Sequence, residues 1–375
     1  MFLDSGKEWR GGQYQVLNLG LELQKRGHEL LLVCQKQSPL HSRAKTRGLP
    51  VEAVRMRGDL DFRAWVRVAG ILRMFKPELV HAHAGRAHAV GLGATFFQDV
   101  DAFVVTRRVG TPLKINVINR IKYSRLVSCH VAISEHVAET LKLAGVSPAR
   151  IRVIPSAVTL EEFEVGEQGS VEAAGSGAVS GAINAGAKIR AGLGLAEGTP
   201  LVLNVGSLSK EKSQQDVLRV ASVVTRTAPD ARFLIAGAGP LRHRLERISK
   251  DLEVDSVVRF LGFRDDIPAL MMGASVFLFP SESEGLGSVV LQAMAAGLPV
   301  VATDSGGIRE IVKHGETGFL FARRDVASMA DAVTKLLKER DLAKTMGANA
   351  RRMAAEFSFQ RCCTQHEELY KELLG

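Results

Sequence analysis

The sequence predicts an α/β protein built from two Rossmann-like domains, each with a doubly wound parallel sheet. Apolar, β-branched runs alternate with helical patterns along the chain, and such alternation is typical of parallel sheets with helices on both faces. The alternation occurs twice, on either side of residues 164–187, which have no hydrophobic periodicity. With 375 residues, the chain is also too long for one ordinary core.

The first predicted domain, residues 1–163, begins with a weak candidate strand. Only MFLD precedes the first loop, and a central strand usually needs about five or six residues. We therefore expect either a shortened first strand or a true start upstream of Met1. The stronger candidates are HELLLVCQ (28–35), ELVHAHA (78–84), AFVVTRR (102–108), SCHVAIS (128–134) and RIRVIPS (150–156).

The Gly-, Ala- and Ser-rich residues 164–187 are predicted to form a flexible insertion or linker. The second predicted domain, residues 188–360, repeats the alternation of strands and helices. Its candidate strands are PLVLNVGS (200–207), ARFLIAGAG (231–239), VVRFLG (257–262), VFLFPS (276–281) and PVVAT (299–303). In such a sheet a ligand binds at the carboxyl ends of the strands.

The charge is unevenly distributed and narrows the class of partner. The net charge is +9: residues 1–160 carry 24 Lys and Arg against 12 Asp and Glu, whereas the rest carry 25 against 28. These basic residues either solvate helix faces or meet an anionic partner. Nucleic acid is disfavoured because no basic motif is interleaved with aromatic residues. An anionic membrane surface or an acidic acceptor fits better.

We expect a cytoplasmic location. No apolar run reaches the roughly 18 residues that span a bilayer, and MFLDSGKEWRGG lacks the apolar core of a signal peptide. The four cysteines, which include the adjacent Cys362 and Cys363, have no metal-ligand spacing. Such cysteines are typical of reduced thiols in a reducing compartment.

Several loops at predicted strand ends have the residues of a phosphate site. Gly11–Gly12 precedes a helical pattern and would let backbone N–H groups approach an anion, although a plain turn has the same pattern. In GSLSKEK (206–212) the last lysine, Lys212, either neutralises a phosphate or is merely solvated. TDSGG (303–307) adds a further glycine pair after a strand. GAGPLR (237–242) is not a dinucleotide-binding fingerprint, because it lacks the third glycine and lies well past the domain's first strand.

The stretch EGLGSVVLQAMAAG (284–297) is the most informative of these. Gly287 and Ser288 would offer free N–H groups at a helix start. Glu284 either binds a ligand or only complements the helix dipole. Gln292 lies four residues after Ser288, so the two side chains share one helix face. Together with the neighbouring loops, this pattern predicts a diphosphate site.

Taken together, these residues resemble the retaining glycosyltransferases of family 4, which have the GT-B fold. RGGQYQVLNLGLELQKRGHEL (10–30) is similar to the family's opening, and PSESEGLGSVVLQAMAAGLPVVATDSGGIREIVKHGETGFL (280–320) is similar to its most specific block. The resemblance covers nearly the whole chain except residues 164–187. It implies two domains facing across a cleft, a nucleoside-diphosphate sugar as co-substrate and no cofactor or metal. It also implies that residues 361–375 form a helix that crosses back to the first domain.

The roles of individual residues follow from this resemblance. The first acid of the family's EX7E motif falls on Glu284, which would contact donor-sugar hydroxyls. The second falls on Gln292, which would hold the nucleotide ribose. The Arg/Lys pair for the donor diphosphate falls on Ser207 and Lys212, so only the lysine is kept. Gly11–Gly12 would lie close to the diphosphate and the reacting carbon.

The family's histidine after the VVT strand is absent, and Arg107 and Arg108 stand there instead. We expect Arg107 or Arg108 to supply the positive charge lost at Ser207, with Arg108 as the catalytic candidate and Arg107 on the acceptor side. Substituting both arginines by alanine should abolish transfer and leave folding intact. The loop Gly262–Arg264 would contact the donor base.

His81 and His83 alternate along a predicted strand and so share one face. They either line the acceptor side or pack in the core, and a metal site is the less favoured interpretation. The segment FRAWVRVAGILRMFK (62–76) has apolar residues at helical spacing. It either faces its sheet or lies on a membrane surface.

The resemblance implies transfer of a sugar, with retention of configuration, from a nucleoside-diphosphate sugar to an acceptor. The basic first domain suggests a lipid-linked or lipopolysaccharide-type acceptor at the inner membrane face. Two alternatives stay open. A nucleotide-sugar 2-epimerase of the same fold would need acid/base carboxylates in its cleft, and Glu284 is the single candidate. An inactive paralogue acting as a partner would explain the missing second acid, arginine and histidine.

Overall fold

The computed structural model describes residues 1–112, 122–123, 126–163 and 182–375. The chain divides into two compact units. Unit 1 comprises Met1–Ala157 and Phe359–Gly375, and unit 2 comprises Val158–Ser358. The domain boundaries expected from the sequence, after residues 163 and 360, lie a few residues further along the chain.

The described part of unit 1 forms a seven-stranded parallel sheet in the order β3-β2-β1-β4-β5-β6-β7. Its strands are β1 (Phe2–Asp4), β2 (Leu32–Gln35), β3 (Val51–Val54), β4 (Leu79–Ala82), β5 (Ala102–Arg107), β6 (Cys129–Ala132) and β7 (Ile151–Val153). Its described helices are α1 (Gly11–Lys25), α2 (Pro39–Thr46), α3 (Phe62–Phe75), α4 (Gly85–Thr95), α5 (Glu135–Leu143) and the C-terminal helix, Phe359–Leu374.

Apolar clusters cover both faces of this sheet. Alternate strand residues enter opposite clusters, as the pleat requires: Phe2 and Leu32 lie in one, Leu3 and Val33 in the other. The three-residue strand β1 is completely buried and pairs with β2 on one side and β4 on the other. Although β1 is short, burial and hydrogen bonds to strands on both sides stabilise it.

The C-terminal helix completes one of these clusters. Its apolar residues Phe359, Cys362 and Leu369 join the cluster that contains α1. Arg26, at the end of α1, donates to the Glu367 carboxylate at 2.7 Å. The last helix of the chain therefore belongs to the fold of unit 1 rather than to that of unit 2.

Unit 2 has a six-stranded parallel sheet in the order β10-β9-β8-β11-β12-β13. Its strands are β8 (Leu201–Val205), β9 (Arg232–Ala236), β10 (Val258–Gly262), β11 (Val276–Phe279), β12 (Val300–Thr303) and β13 (Gly318–Phe321). Its described helices are α6 (Ala182–Gly192), α7 (Gln214–Val224), α8 (Arg242–Asp251), α9 (Ile267–Gly273), α10 (Ser288–Ala295), α11 (Ile308–Ile311), α12 (Val326–Lys338) and α13 (Arg340–Ala355).

The last part of the predicted linker is helical. Residues 164–181 lie outside the described residues, but residues 182–187 form the first half of α6. This helix packs closely on α9: a Cβ added to Gly186 would lie 2.7 Å from the Met272 carbonyl oxygen. The small residues that suggested flexibility therefore serve a close helix–helix contact here.

The strand order reverses once in each sheet, between β1 and β4 in unit 1 and between β8 and β11 in unit 2. Loops that leave neighbouring strands at such a switch point diverge to opposite faces, and ligands bind in the crevice between them. We therefore expect the functional residues of each unit at its switch point.

Candidate functional site

The loops after β8 and β11 bring a lysine and a glutamate together at the switch point of unit 2. Lys212 Nζ lies 2.5 Å from Glu284 Oε1, although the residues are 72 positions apart. Ser281 Oγ donates to the same carboxylate oxygen at 2.6 Å. Lys212 Nζ also lies 5.2 Å from the centre of the Phe279 ring. The apolar ring beneath the lysine and the glutamate beside it fix the position of the ammonium group.

Glu284 is available to a ligand despite this pairing. Its residue is only 9% exposed, so its charge needs the lysine as a counter-ion. Both hydrogen bonds go to Oε1, and Oε2 accepts none from the described residues. A carboxylate oxygen of this kind can accept a hydrogen bond from a sugar hydroxyl.

The start of α10 offers backbone donors next to this pair. Gly287 is the N-cap residue, with φ of +87°, and no side chain caps the helix. The first N–H groups of the helix therefore have no intrahelical partner. The positive φ of Gly287 favours glycine, and a Cβ there would also lie 2.5 Å from Ile308 Cδ1. Free N–H groups at a helix N-terminus favour an anion.

The TDSGG loop supports the EGLG loop through backbone contact. A Cβ at Gly307 would lie 2.2 Å from the Gly285 carbonyl oxygen, and Gly307 N–H donates to the Glu284 carbonyl at 3.3 Å. Thr303 Oγ1 donates to the Ser281 carbonyl oxygen. The second loop thus holds the first in place rather than adding a separate site.

The GAGPLR segment, which the sequence excluded as a dinucleotide fingerprint, has a different use. Gly237 has φ of +148°, and a Cβ there would lie 1.8 Å from the Gly206 carbonyl oxygen. A Cβ at Gly239 would lie 2.5 Å from the Leu208 carbonyl oxygen. These glycines let the loop after β9 pack directly on the loop that carries Lys212. Sequence reasoning missed this role, although two glycines at a strand end were its visible signal.

Three other residues expected in the site, Ser207, Ser288 and Gln292, make no hydrogen bond to Lys212 or Glu284 in the described part of the chain. Ser207 is neutral, and its hydroxyl oxygen lies 3.3 Å from that of Ser209 in the same loop. Ser288 and Gln292 lie one helical turn apart on α10. The Gln292 side chain is half-buried and makes no hydrogen bond with the described residues. It is therefore free to bind a ligand hydroxyl.

Arg264 is engaged elsewhere in unit 2. Its Nε and terminal nitrogen donate to the two Asp266 carboxylate oxygens at 2.7 and 2.5 Å, and these hydrogen bonds raise the pKa of Arg264. Gly262 has φ of +71°, and its carbonyl oxygen accepts from Gly237 N–H at 2.7 Å. In the described residues no hydrogen bond joins Arg264 to Glu284 or Lys212.

At the switch point of unit 1, the glycine pair lies beside an arginine. Gly11 and Gly12 open α1, whose N-cap side chain makes no capping bond. A Cβ at Gly12 would lie 3.6 Å from Arg108 Cδ. Asp4, at the end of β1, accepts from Gly6 N–H and from Gln13 Nε2 at 2.7 and 3.1 Å. Burial raises the pKa of Asp4.

Arg108 forms no direct ion pair with the described residues, although the Asp4 carboxylate is near enough to attract its charge. Its terminal nitrogens lie 3.5 Å from Ser156 Oγ and 3.5 Å from His83 Nδ1, which are long contacts. Burial lowers the pKa of Arg108 to about 10, so the guanidinium stays charged at neutral pH. A guanidinium that no carboxylate holds by direct hydrogen bonds can donate to an anion.

Arg107 points to different groups. It donates to Tyr123 Oη at 3.2 Å and to the Thr111 carbonyl oxygen. Of the two arginines considered for the charge lost at Ser207, Arg108 lies beside Gly12, whereas Arg107 contacts Tyr123 and Thr111.

The paired histidines pack as an imidazole cluster. The rings of His81 and His83 are 4.0 Å apart, and His366 of the C-terminal helix lies 5.6 Å from His81. His81 binds Tyr370 Oη at 2.6 Å and Thr106 Oγ1 at 2.7 Å. Burial lowers the pKa of all three histidines. Among the described residues, no three His, Cys, Asp or Glu groups are placed as a metal-ligand set.

The two doubly wound sheets, with loops at their switch points, define a GT-B fold. Residues 187–353 match the model of glycosyl transferases group 1, and residues 9–162 match that of glycosyltransferase family 4. Together the two matches account for most of the chain. The chain therefore consists largely of these two glycosyltransferase domains.

Two curated relatives show the extent of the similarity. The chain is 34% identical over 183 residues to N-acetyl-alpha-D-glucosaminyl L-malate synthase of Bacillus anthracis, which is 48% of either chain. It is 37% identical over 161 residues to the GDP-mannose-dependent alpha-(1-6)-phosphatidylinositol monomannoside mannosyltransferase of Mycobacterium tuberculosis, covering 40% of this chain and 42% of that one. The chain spans about half the length of the curated relatives it matches.

Among solved structures, HepE of Anabaena in complex with UDP-glucose has a TM-score of 0.85. The match covers 99% of this chain and 98% of that one at 21% identity, which establishes a shared fold. In the described part of the chain, no helix is both long enough and apolar enough to cross a bilayer.

Proposed function

We propose that the chain transfers a glycosyl group, with retention of configuration, from a nucleoside-diphosphate sugar to a lipid-linked or cell-envelope glycan. The observation that carries this proposal is the Lys212–Glu284 pair beside the uncapped start of α10. The HepE complex with UDP-glucose supports the class of donor. The mannosyltransferase, named for a phosphatidylinositol mannoside, supports a lipid-linked acceptor.

The chemistry follows from the charge that develops on the leaving group. When the glycosidic bond breaks, the departing nucleoside diphosphate gains negative charge. Lys212 and the N–H groups of Gly287–Ser288 would stabilise that charge without needing a metal ion. Glu284 would accept a hydrogen bond from a donor-sugar hydroxyl through Oε2 and so orient the sugar. Gln292 would hold the ribose with one hydroxyl contact where a carboxylate would accept two.

Donor turnover without acceptor tests the proposal against its alternatives. The purified chain is incubated with UDP-, GDP- and ADP-sugars in the presence of EDTA, and the products are analysed by NMR. We expect slow release of one nucleoside diphosphate and a sugar with the donor's anomeric configuration. Formation of the 2-epimer would instead support an epimerase, and the absence of both binding and turnover would support an inactive partner.

Substitution of Lys212 then tests the site. K212Q should lower kcat about a hundredfold, which is typical for loss of one group that stabilises developing charge. K210Q is a matched control, because Lys210 is exposed in the same turn and makes no ion pair with the described residues. Equal activity of the two variants would show that Lys212 does not contact the leaving group.

A further inference from the structure

Helix α3 in unit 1 has one buried face and one exposed face. Ala64, Val68 and Leu72 follow one another at a spacing of four and are at most 2% exposed. Phe62, Val66 and Met74 are 59%, 48% and 85% exposed. At about 100° per residue, the exposed positions of the helix occupy one arc of roughly 140°. The apolar residues on this arc do not contribute to the core of unit 1.

Close packing on α4 fixes which face is exposed. A Cβ at Gly93 would lie 2.3 Å from the Trp65 ring, so the indole lies directly on the backbone of α4. Trp65 Nε1 also donates to the Asp59 carbonyl oxygen at 3.3 Å. The helix therefore cannot rotate to bury Phe62 and Val66 without losing this contact.

The exposed apolar area continues beyond α3. Phe96 and Phe97 follow α4 and are 65% and 52% exposed. The rings of Phe62 and Phe97 are 5.7 Å apart in an edge-on arrangement, so the exposed apolar area at the start of α3 continues to the end of α4. We call it the aromatic surface, and it consists of Leu60, Phe62, Val66, Phe96 and Phe97. Contiguous exposed apolar areas of this kind mark interaction sites.

The charges on the same arc of α3 are all positive. Arg63, Arg67 and Arg73 are exposed there and form no ion pair with the described residues. Asp61, at the helix start, is occupied by hydrogen bonds from Ala64 and Arg57 N–H at 3.2 and 2.9 Å. Long arginine side chains can keep their charge in water while neighbouring apolar groups are buried. Aromatic residues flanked by uncompensated arginines match the boundary between acyl chains and anionic headgroups.

We propose that the aromatic surface docks unit 1 on a bilayer that contains anionic phospholipid. Phe62, Phe97 and Val66 insert at the acyl boundary, and Arg63 and Arg67 bind headgroup phosphates. This proposal rests on the proposed function, because it places the enzyme at the surface where a lipid-linked acceptor would lie. The docking itself requires no glycosyl transfer.

Vesicle sedimentation with the full chain tests the docking. Vesicles of phosphatidylcholine alone are compared with vesicles that also contain phosphatidylglycerol, each at low and high salt. We expect binding only to the anionic vesicles, weakened by salt. R63Q/R67Q should bind about 25-fold more weakly, since each basic residue near such a surface contributes roughly fivefold. F62S/F97S should weaken binding by at least about tenfold, because two aromatic side chains no longer insert.

Matched variants separate the surface from general effects of charge and hydrophobicity. K142Q/R152Q removes two positive charges that are already paired with Glu139 and Glu372 in unit 1. L143S removes an apolar side chain that is 83% exposed elsewhere in the unit. Both should bind anionic vesicles like the unchanged protein. Each variant's thermal unfolding shows whether it is folded.

Two results would overturn the docking proposal. One is equal binding to neutral and anionic vesicles, and the other is equal loss of binding in the matched variants. Binding of a soluble UDP-sugar, followed by thermal shift, should be unchanged in all of these variants. A protein that binds donor but not vesicles would contradict docking and leave the proposed transfer standing.

Discussion

At the scale of single residues, the Lys212–Glu284 ion pair gives the candidate site its electrostatic character. The sequence predicted both residues, but only as separate contacts to diphosphate and sugar. The structure adds that they pair with each other at 2.5 Å. Donor binding would then exchange one partner for another, because the diphosphate attracts the lysine and the sugar hydroxyl binds the glutamate. Partner exchange of this kind limits the desolvation cost of a buried charge.

Gln292 leads to a prediction about donor affinity. Its side chain is half-buried and makes no hydrogen bond in the described part of the chain, and it shares a helix face with Ser288. Q292E should tighten UDP binding about tenfold, because a carboxylate accepts stronger hydrogen bonds from two ribose hydroxyls than an amide does from one. Isothermal titration calorimetry with UDP measures the change.

The matched ligand for this experiment is inorganic diphosphate, which has no ribose. Its affinity should not rise in Q292E, since the added negative charge offers it no new hydrogen bond. An unchanged UDP affinity would indicate that the ribose does not bind at this helix face. A rise for both ligands would show that the substitution acts on the loop rather than on the ribose.

At the scale of elements, the sequence predicted the central strands and missed two at sheet edges. Buried strands such as β5 and β8 are continuous apolar runs that length and composition identify. The strands β3 (Val51–Val54) and β13 (Gly318–Phe321) each have one neighbouring strand and are partly exposed. Each has only four residues, the shortest length at which an apolar pattern can distinguish a strand from a loop.

Glycine loops were likewise only partly predictable. The sequence indicated that Gly307 follows a strand and precedes a helix, which suggested a phosphate contact. The structure shows that its α-hydrogen faces the Gly285 carbonyl oxygen, 2.2 Å from where a Cβ would lie. Contacts between loops that are distant in sequence depend on how strands order in the sheet. A single sequence therefore shows the glycine but not its neighbour.

Substitution of Gly307 tests the support that one loop gives the other. G307A forces the two loops apart, and overpacking of this kind typically costs about 1–3 kcal/mol in the free energy of unfolding. Because the shift falls on the loop that carries Glu284, donor turnover should fall about tenfold or more. Urea denaturation and donor turnover measure the two effects.

Gly192 provides the control for this substitution. It lies at the end of α6 with no atom within 4 Å of an added Cβ. G192A should leave turnover unchanged and raise the free energy of unfolding slightly, since alanine favours a helix by up to about 1 kcal/mol. If G307A behaved like G192A, the two loops would not depend on each other.

At the scale of the whole molecule, the two units differ in the burial of their histidines. Unit 1 contains every histidine whose pKa is lowered by burial in the described part of the chain. These residues are His81, His83, His88, His130 and His366. The histidines of unit 2, His243 and His314, are exposed. The sequence showed the HAHAGRAH run but not its partners, because His130 and His366 reach it only through the sheet and the C-terminal helix.

This asymmetry predicts that acid destabilises unit 1 before unit 2. The folded unit keeps its buried histidines neutral, whereas the unfolded chain binds protons below the ordinary pKa of about 6.5. Their contribution to stability is therefore present above pH 6.5 and is lost as the pH falls towards about 4, the folded pKa of His130 and His366. For each of these two groups, the loss between pH 7 and pH 5 is roughly 2 kcal/mol.

Hydrogen–deuterium exchange of the full chain at pH 7 and pH 5, corrected for the intrinsic exchange rate, measures this loss unit by unit. Peptides of unit 1, including those of Phe359–Leu374, should lose protection at pH 5 while those of unit 2 keep it. H366L should reduce the acid sensitivity, because leucine fills the buried position without titrating, whereas H243Q should leave it unchanged because that side chain is exposed in both states. Equal loss of protection in both units would mean that the acid sensitivity comes from groups other than the buried imidazoles.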